Sequence, residues 1–197
     1  MSAPSLLLAA FGPELAGLDR TPPPGWIVAT SGVGAVQAAV GTYRLLLAHR
    51  PARVLLVGTC GAYDDRLPLG AVFAVAAAIA TSVEELEGRA YRPGAERSRW
   101  EATWKLPLPA HDVAVTPAVT TSAAGARVLA RVAPAEHLEV TGVLAACAEG
   151  GVPAGAVLGV ANRVGPSAHA EWVRENARVS AAVVDAVSAL LRPEGGG

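Results

Sequence analysis

The chain has 197 residues, a formal net charge of −1, 52% hydrophobic and 17% charged residues. Such a chain is long enough for one sizeable core, and we expect a single domain over residues 1–197. It is too apolar to stay disordered, and its apolar runs, such as Ala71–Ala80, are too short to span a bilayer. No basic stripe tracks a phosphate backbone, which argues against nucleic acid as a partner.

The N-terminus has no basic start, and Glu14 follows soon after. A buried strand over Ser5–Phe11 therefore fits better than a secretory leader, and a cytoplasmic location is expected. Trp26–Thr30 reads as a second strand, after the rigid turn Thr21-Pro-Pro-Pro-Gly25. Ser31-Gly-Val-Gly34 opens a helix over Ala35–His49, which Pro51 stops. Arg53–Gly58 is nearly all apolar, as expected of a strand covered on both faces. Thr59–Gly70 reads as a loop and Ala71–Thr81 as another strand.

Residues 84–111 are charged, proline-bearing and aperiodic, and read as an excursion from the core. Val113–Thr120 returns to strand character. Helices are expected over Ala123–Val132 and Gly142–Glu149, and a last strand over Ala156–Ala161. His169–Leu191 should close the fold as a long helix with Val173, Ala177, Ala181 and Val184 near one face, followed by a frayed tail at 193–197. The alternation predicts an α/β fold: a central mixed β-sheet flanked by helices, with ligands gathering beyond strand ends.

Several residues in those loops carry usable chemistry. Gly32-Val-Gly34 lacks the full dinucleotide fingerprint, since position 37 is Gln, so no cofactor is expected. The turn serves either close helix packing or a polar ligand on its backbone. Small side chains at Thr59, Cys60 and Gly61 could leave backbone N–H groups free for an anion or a water. Glu14, at a strand end beside apolar residues, could act as acid or base, or be a surface glutamate. Glu139 begins a turn, and Thr141 could cap the next helix or touch a ligand. Asn162 carries donors and an acceptor that can read a base edge, though Asn is also a common turn residue. The histidines show no metal spacing, and Cys60 and Cys147 read as buried thiols, so no metal site is expected.

Taken together, Thr30-Ser-Gly-Val-Gly-Ala-Val-Gln-Ala-Ala39, Val54-Leu-Leu-Val-Gly-Thr-Cys-Gly-Ala62, Leu138-Glu-Val-Thr-Gly-Val-Leu-Ala-Ala-Cys147 and Gly151-Val-Pro-Ala-Gly-Ala-Val-Leu-Gly-Val-Ala-Asn162 resemble the purine nucleoside phosphorylase and methylthioadenosine/S-adenosylhomocysteine nucleosidase superfamily. Val160-Ala-Asn-Arg-Val-Gly165 followed by Trp172 looks most like futalosine hydrolase, an enzyme of menaquinone biosynthesis. The resemblance implies a nucleoside phosphorylase-like fold, a homodimer or higher homo-oligomer, and N-glycosidic hydrolysis of a purine nucleoside, with futalosine preferred. A phosphorylase, a methylthioadenosine-type nucleosidase or a catalytically impaired nucleoside-binding relative are the rivals.

The resemblance also implies roles. Glu14 would activate water and Asn162 would stabilise the leaving base, an amide suiting a 6-oxopurine. Gly34, Thr59, Cys60, Gly61, Thr121 and Glu139 would line the substrate pocket. Val140 matches a methionine that packs on the sugar, and Thr141 a glutamate that holds the ribose hydroxyls, which is a departure. Arg66, or an arginine from 89–99, would pair with a substrate carboxylate.

Overall fold

In a computed structural model, residues 3–191 are described; the expected fraying at 193–197 lies outside them. The described residues form eight strands and five α-helices. The strands are β1 (Ser5–Ala9), β2 (Trp26–Thr30), β3 (Arg53–Ala62), β4 (Val72–Ala80), β5 (Arg99–Glu101), β6 (Ala110–Val115), β7 (Ala135–His137) and β8 (Ala154–Arg163). The helices are α1 (Ala35–His49), α2 (Val83–Leu86), α3 (Ala123–Leu129), α4 (Val140–Glu149) and α5 (Ala168–Leu191).

All eight strands form one mixed sheet in a single α/β domain. β3 pairs with β8, β8 with β4, β4 with β6, β6 with β7, and β7 returns to β3, so five strands close a ring. β1 and β2 extend the sheet from the first half of β3, and β5 extends it from β4. β2 and β5 are the outermost strands of this extended sheet.

The central strands are apolar because both their faces are covered. Leu6, Leu8, Val54, Leu56 and Leu158 pack towards α1 and α4, while Leu7, Leu55, Val57 and Val157 pack with Val183 and Val187 of α5. Glycine sets the closest approaches. A Cβ on Gly142 would lie 2.1 Å from the Ala35 carbonyl oxygen, so α4 meets α1 backbone to backbone.

The largest difference from the sequence reading is in β3. Thr59–Ala62 continue the strand instead of opening a loop, because β8 pairs alongside them. Their backbone is therefore largely engaged in the ladder. β7 was not expected at all: Ala-Glu-His carries no β-branched residue, and its strand state comes from pairing with β3 and β6. β8 runs on to Arg163, which puts Asn162 in a strand, not a loop. β1 stops at Ala9, and β6 starts at Ala110 and stops at Val115. The 84–111 excursion holds α2, β5 and the start of β6. The inward face of α5 is Val179, Ser180, Val183 and Val187, whereas Val173 is exposed.

Candidate active site

The site forms where β3 changes neighbours. β1 pairs with β3 only as far as Leu56, and β7 joins that side at Gly61. Between them the edge of β3 is open, and a cavity of about 490 Å³ lies over it. That is enough for a small ligand, for which sites run roughly 300–1,000 Å³.

Glu14 fills the gap. It sits on a 3₁₀ turn, Gly12–Leu15, that follows β1 and is anchored by buried Leu15. Its Oε1 accepts from both the Thr59 backbone N–H and the Thr59 hydroxyl, each at 2.8 Å. The indole N–H of Trp172, on the first turns of α5, donates to that hydroxyl at 3.0 Å. Indole nitrogen can only donate, so the chain runs in one direction, from Trp172 through Thr59 to Glu14. Oε2 of Glu14 is buried without a hydrogen-bond partner, and the residue lines the cavity at 4% exposure. Burial raises its pKa above the ordinary 4.5; the Thr59 donors oppose that rise.

The turn from β7 to α4 supplies the next groups. His137 Nδ1 accepts from the backbone N–H of Glu139 at 3.0 Å and of Val140 at 3.3 Å. This places the ring proton on Nε2, which shares the space above Gly58 with the Glu14 carboxylate. Glu139 Oε2 lies 3.2 Å from Nδ1. With two backbone donors converging there, this is an approach of two acceptors and not an ion pair. Glu139 Oε1 accepts from the Gly34 N–H at 2.8 Å. Gly34 has φ +84°, a conformation glycine adopts freely.

Glu136 of β7 is a third carboxylate in the lining. It accepts from the Thr120 N–H at 3.0 Å and from the Tyr63 hydroxyl at 3.1 Å. Burial raises its pKa, and these donors oppose the rise. Asn162 lies across Gly61, and its Nδ2 donates to the Arg163 carbonyl at 3.0 Å. Cys60 also lines the cavity, with burial pushing its thiol pKa up, so it stays protonated. The mouth is apolar and aromatic: Phe11, Val33, Val119, Pro166 and Trp172, with His169 stacked on Trp172 at 6.2 Å. Among the described residues no cluster of His, Cys, Asp and Glu is arranged to hold a metal ion.

The structure thus gathers Glu14, Thr59, Cys60, Gly61, Thr121, Glu139 and Asn162 around one cavity. Gly34 does not line it but tethers Glu139. Val140 and Thr141 are not in the lining. Both are buried in α4, and Val140 belongs to the core. The lining residues of this segment are His137, Leu138 and Glu139, so Leu138 and Glu139 stand where Val140 and Thr141 were expected, two positions earlier.

Arg66 is also displaced from its expected role. Its guanidinium grips the Asp64 carboxylate and the Ala130 carbonyl outside the cavity. Arg89, Arg92 and Arg99 are paired with acidic neighbours, Arg97 lies over Trp100, and none lines the cavity. Glu136, His137, Phe11 and Trp172 were missed. The unexpected strand β7 hid the first two, and only the crossing of α5 over β3 brings Trp172 to Thr59.

Residues 25–192 match the profile of the Phosphorylase superfamily. The fold is similar to a 5′-methylthioadenosine/S-adenosylhomocysteine nucleosidase from Helicobacter pylori, with TM-score 0.84 and 15% identity over 97% of this chain and 99% of that one. It is similar to a futalosine hydrolase mutant of Helicobacter pylori strain 26695, with TM-score 0.84 and 16% identity over 96% and 99%. A nucleosidase from Colwellia psychrerythraea 34H, in complex with adenine, aligns with TM-score 0.77 and 17% identity over 96% of each chain. No curated protein matches the sequence significantly. No described helix is long and apolar enough to cross a membrane.

Proposed function

The chain belongs to the phosphorylase superfamily, and from that premise we propose that it hydrolyses the N-glycosidic bond of a purine nucleoside carrying an apolar or aromatic 5′ substituent. The observation that carries the reading is the Glu14 carboxylate, clamped through Oε1 by Thr59 with Oε2 left without a partner beside the cavity. An ionised Oε2 takes a proton from water as the water oxygen bonds to C1′ of the sugar. The C1′–N9 bond breaks, its electron pair leaves with the base, the base takes a proton from solvent, and Glu14 returns its proton to solvent. The remaining Asn162 amide hydrogen, donated to the purine, stabilises the negative charge building there. Glu139, fixed by Gly34, holds the ribose hydroxyls and opposes positive charge on the sugar.

Water is favoured over phosphate as the nucleophile. The lining carries three carboxylates and, among the described residues, neither Lys nor Arg, so a phosphate dianion meets repulsion. The mouth favours an apolar 5′ group, either the thioether of methylthioadenosine or the aromatic extension of futalosine. A futalosine carboxylate would stay solvated at the opening, since no arginine among the described residues lines the cavity. A second copy of the chain completes our reading. Val36, Val40, Tyr43 and Leu47 form an exposed apolar stripe at helical spacing on α1, and Val33 beside it borders the cavity.

The test is base release from futalosine and from methylthioadenosine, with and without phosphate. Phosphate-independent release, lost in Glu14→Gln, supports the reading. Release that requires phosphate overturns it.

A further inference from the structure

His137 is a buried titratable group that the hydrolytic steps above leave unused. It lines the cavity at 5% exposure. The turn from β7 into α4 fixes its ring, because Nδ1 accepts from the backbone N–H of Glu139 and of Val140. A neutral imidazole has one acceptor nitrogen and one donor, so Nε2 carries the proton. Among the described residues nothing accepts that proton.

Glu14 has the opposite deficit. Its Oε1 already takes two hydrogen bonds from Thr59, while Oε2 is buried with none. Gly58 lies between the two side chains. A Cβ there would be 3.2 Å from His137 Nε2, 3.4 Å from Glu14 Oε1 and 3.5 Å from Oε2. One donor and one carboxylate thus converge on the place that Gly58 leaves without a side chain. A single water joining them would relieve both groups of burial without a partner.

An attacking water gains from having both. A carboxylate alone gives it an acceptor, and the molecule still turns about that one hydrogen bond. With Nε2–H donating to one lone pair and Oε2 accepting one hydrogen, the second lone pair has a set direction.

Resting on the hydrolase reading, we propose that His137 positions the attacking water, donating to it from Nε2 and holding it against Glu14 Oε2 beside Gly58. Glu14 takes the proton, His137 fixes the oxygen, and Gly58 keeps the room. The Glu139 and Val140 N–H groups act through the ring, since by occupying Nδ1 they put the proton on Nε2.

The experiment separates the two ring nitrogens. His137→Asn keeps an amide oxygen near the Nδ1 position for the backbone donors and loses the Nε2 donor. His137→Gln reaches the Nε2 position with an N–H and loses that oxygen. The full chain and both variants are crystallised, melted and assayed for phosphate-independent base release. The unaltered protein should show an ordered water about 2.7–3.2 Å from both Nε2 and Oε2. His137→Asn should keep its melting temperature, lose that water, and fall roughly tenfold or more in kcat with KM little changed. His137→Gln should melt lower yet retain more kcat than His137→Asn. Gly58→Ala, whose methyl takes the water's place, should also lose kcat. A crystal without the water, His137→Asn at full kcat, or equal losses in the Asn and Gln variants each overturns the assignment. The crystal of the unaltered protein decides even where a variant fails to fold. An ordered water in that place without phosphate-independent cleavage would sink the hydrolase reading alone, and cleavage at full kcat in His137→Asn would sink this one alone.

Discussion

Thr59 gives two hydrogens, its backbone N–H and its hydroxyl, to a single oxygen of Glu14. The double clamp leaves the other oxygen for the cavity, and it is possible only because β3 is paired on one edge alone at that point, with the edge facing Glu14 left open. Thr59→Val keeps the backbone donor and removes the hydroxyl. A hydrogen bond to a charged group is worth about 1.5–3 kcal/mol, so kcat/KM should fall roughly ten- to a hundredfold. The hydroxyl also lowers the Glu14 pKa, so the acid limb of the pH–rate profile should move up. A fall in rate with an unmoved acid limb would mean that Thr59 acts only through packing.

The pH dependence has a definite sign. Glu14 is the proposed base, and burial raises its pKa above 4.5. Activity should therefore rise with pH through a limb lying above the ordinary carboxylate range, and Asn162 adds no titration of its own. Glu14→Gln should cost about 10²–10⁴-fold in kcat and abolish that limb.

The same shift bears on stability with the opposite sign. A carboxyl whose folded-state pKa is raised contributes stability that is complete below its unfolded value, near 4.5, and lost as pH rises through the folded value. Glu14→Gln cannot ionise, so it should melt above the unaltered protein at neutral pH and converge with it in acid. Differential scanning calorimetry at several pH values reads this directly. A variant that melts lower at neutral pH would show that the Glu14 clamp stabilises the fold more than its burial costs.

Gly61→Ala places a methyl against Val164 and Asn162 at separations that real contacts do not tolerate. Overpacking of this kind costs about 1–3 kcal/mol, and one of the two side chains pressed is Asn162, the group proposed to meet the leaving base. A lower melting temperature with a larger loss in kcat than in substrate affinity is expected. An unchanged kcat would place the base elsewhere.

The α1 stripe predicts assembly. Val36 is 78% and Leu47 65% exposed, as is Val40 in large part, and charges there should disfavour burial against a second copy. Val40→Glu with Leu47→Glu should convert an oligomer to monomer in light scattering at unchanged helical content. An unaltered protein that is already monomeric would refute the reading.

What could be read from the residues alone was whatever local pattern determines. The apolar cores of β1, β3 and β8 mark strands covered on both sides, and the span of α1 follows from its glycine turn and Pro51. The quoted loop motifs were enough to point to the superfamily, and they placed Thr59, Gly61, Glu139 and Asn162 among the residues to watch, while Glu14 stood out by its place at a strand end. Pairing across the sheet was not local and could not be read. Ala135–His137 is a strand only because β3 and β6 lie beside it, and without it Glu136 and His137 look like an ordinary charged turn. That Val140 and Thr141 lie outside the cavity lining has the same origin, since a short motif does not say where a helix begins relative to a cavity wall. The tertiary structure alone decided that β1 leaves β3 at Leu56 and β7 arrives at Gly61. That gap is where a buried carboxylate finds two donors, one indole behind them, and an open face.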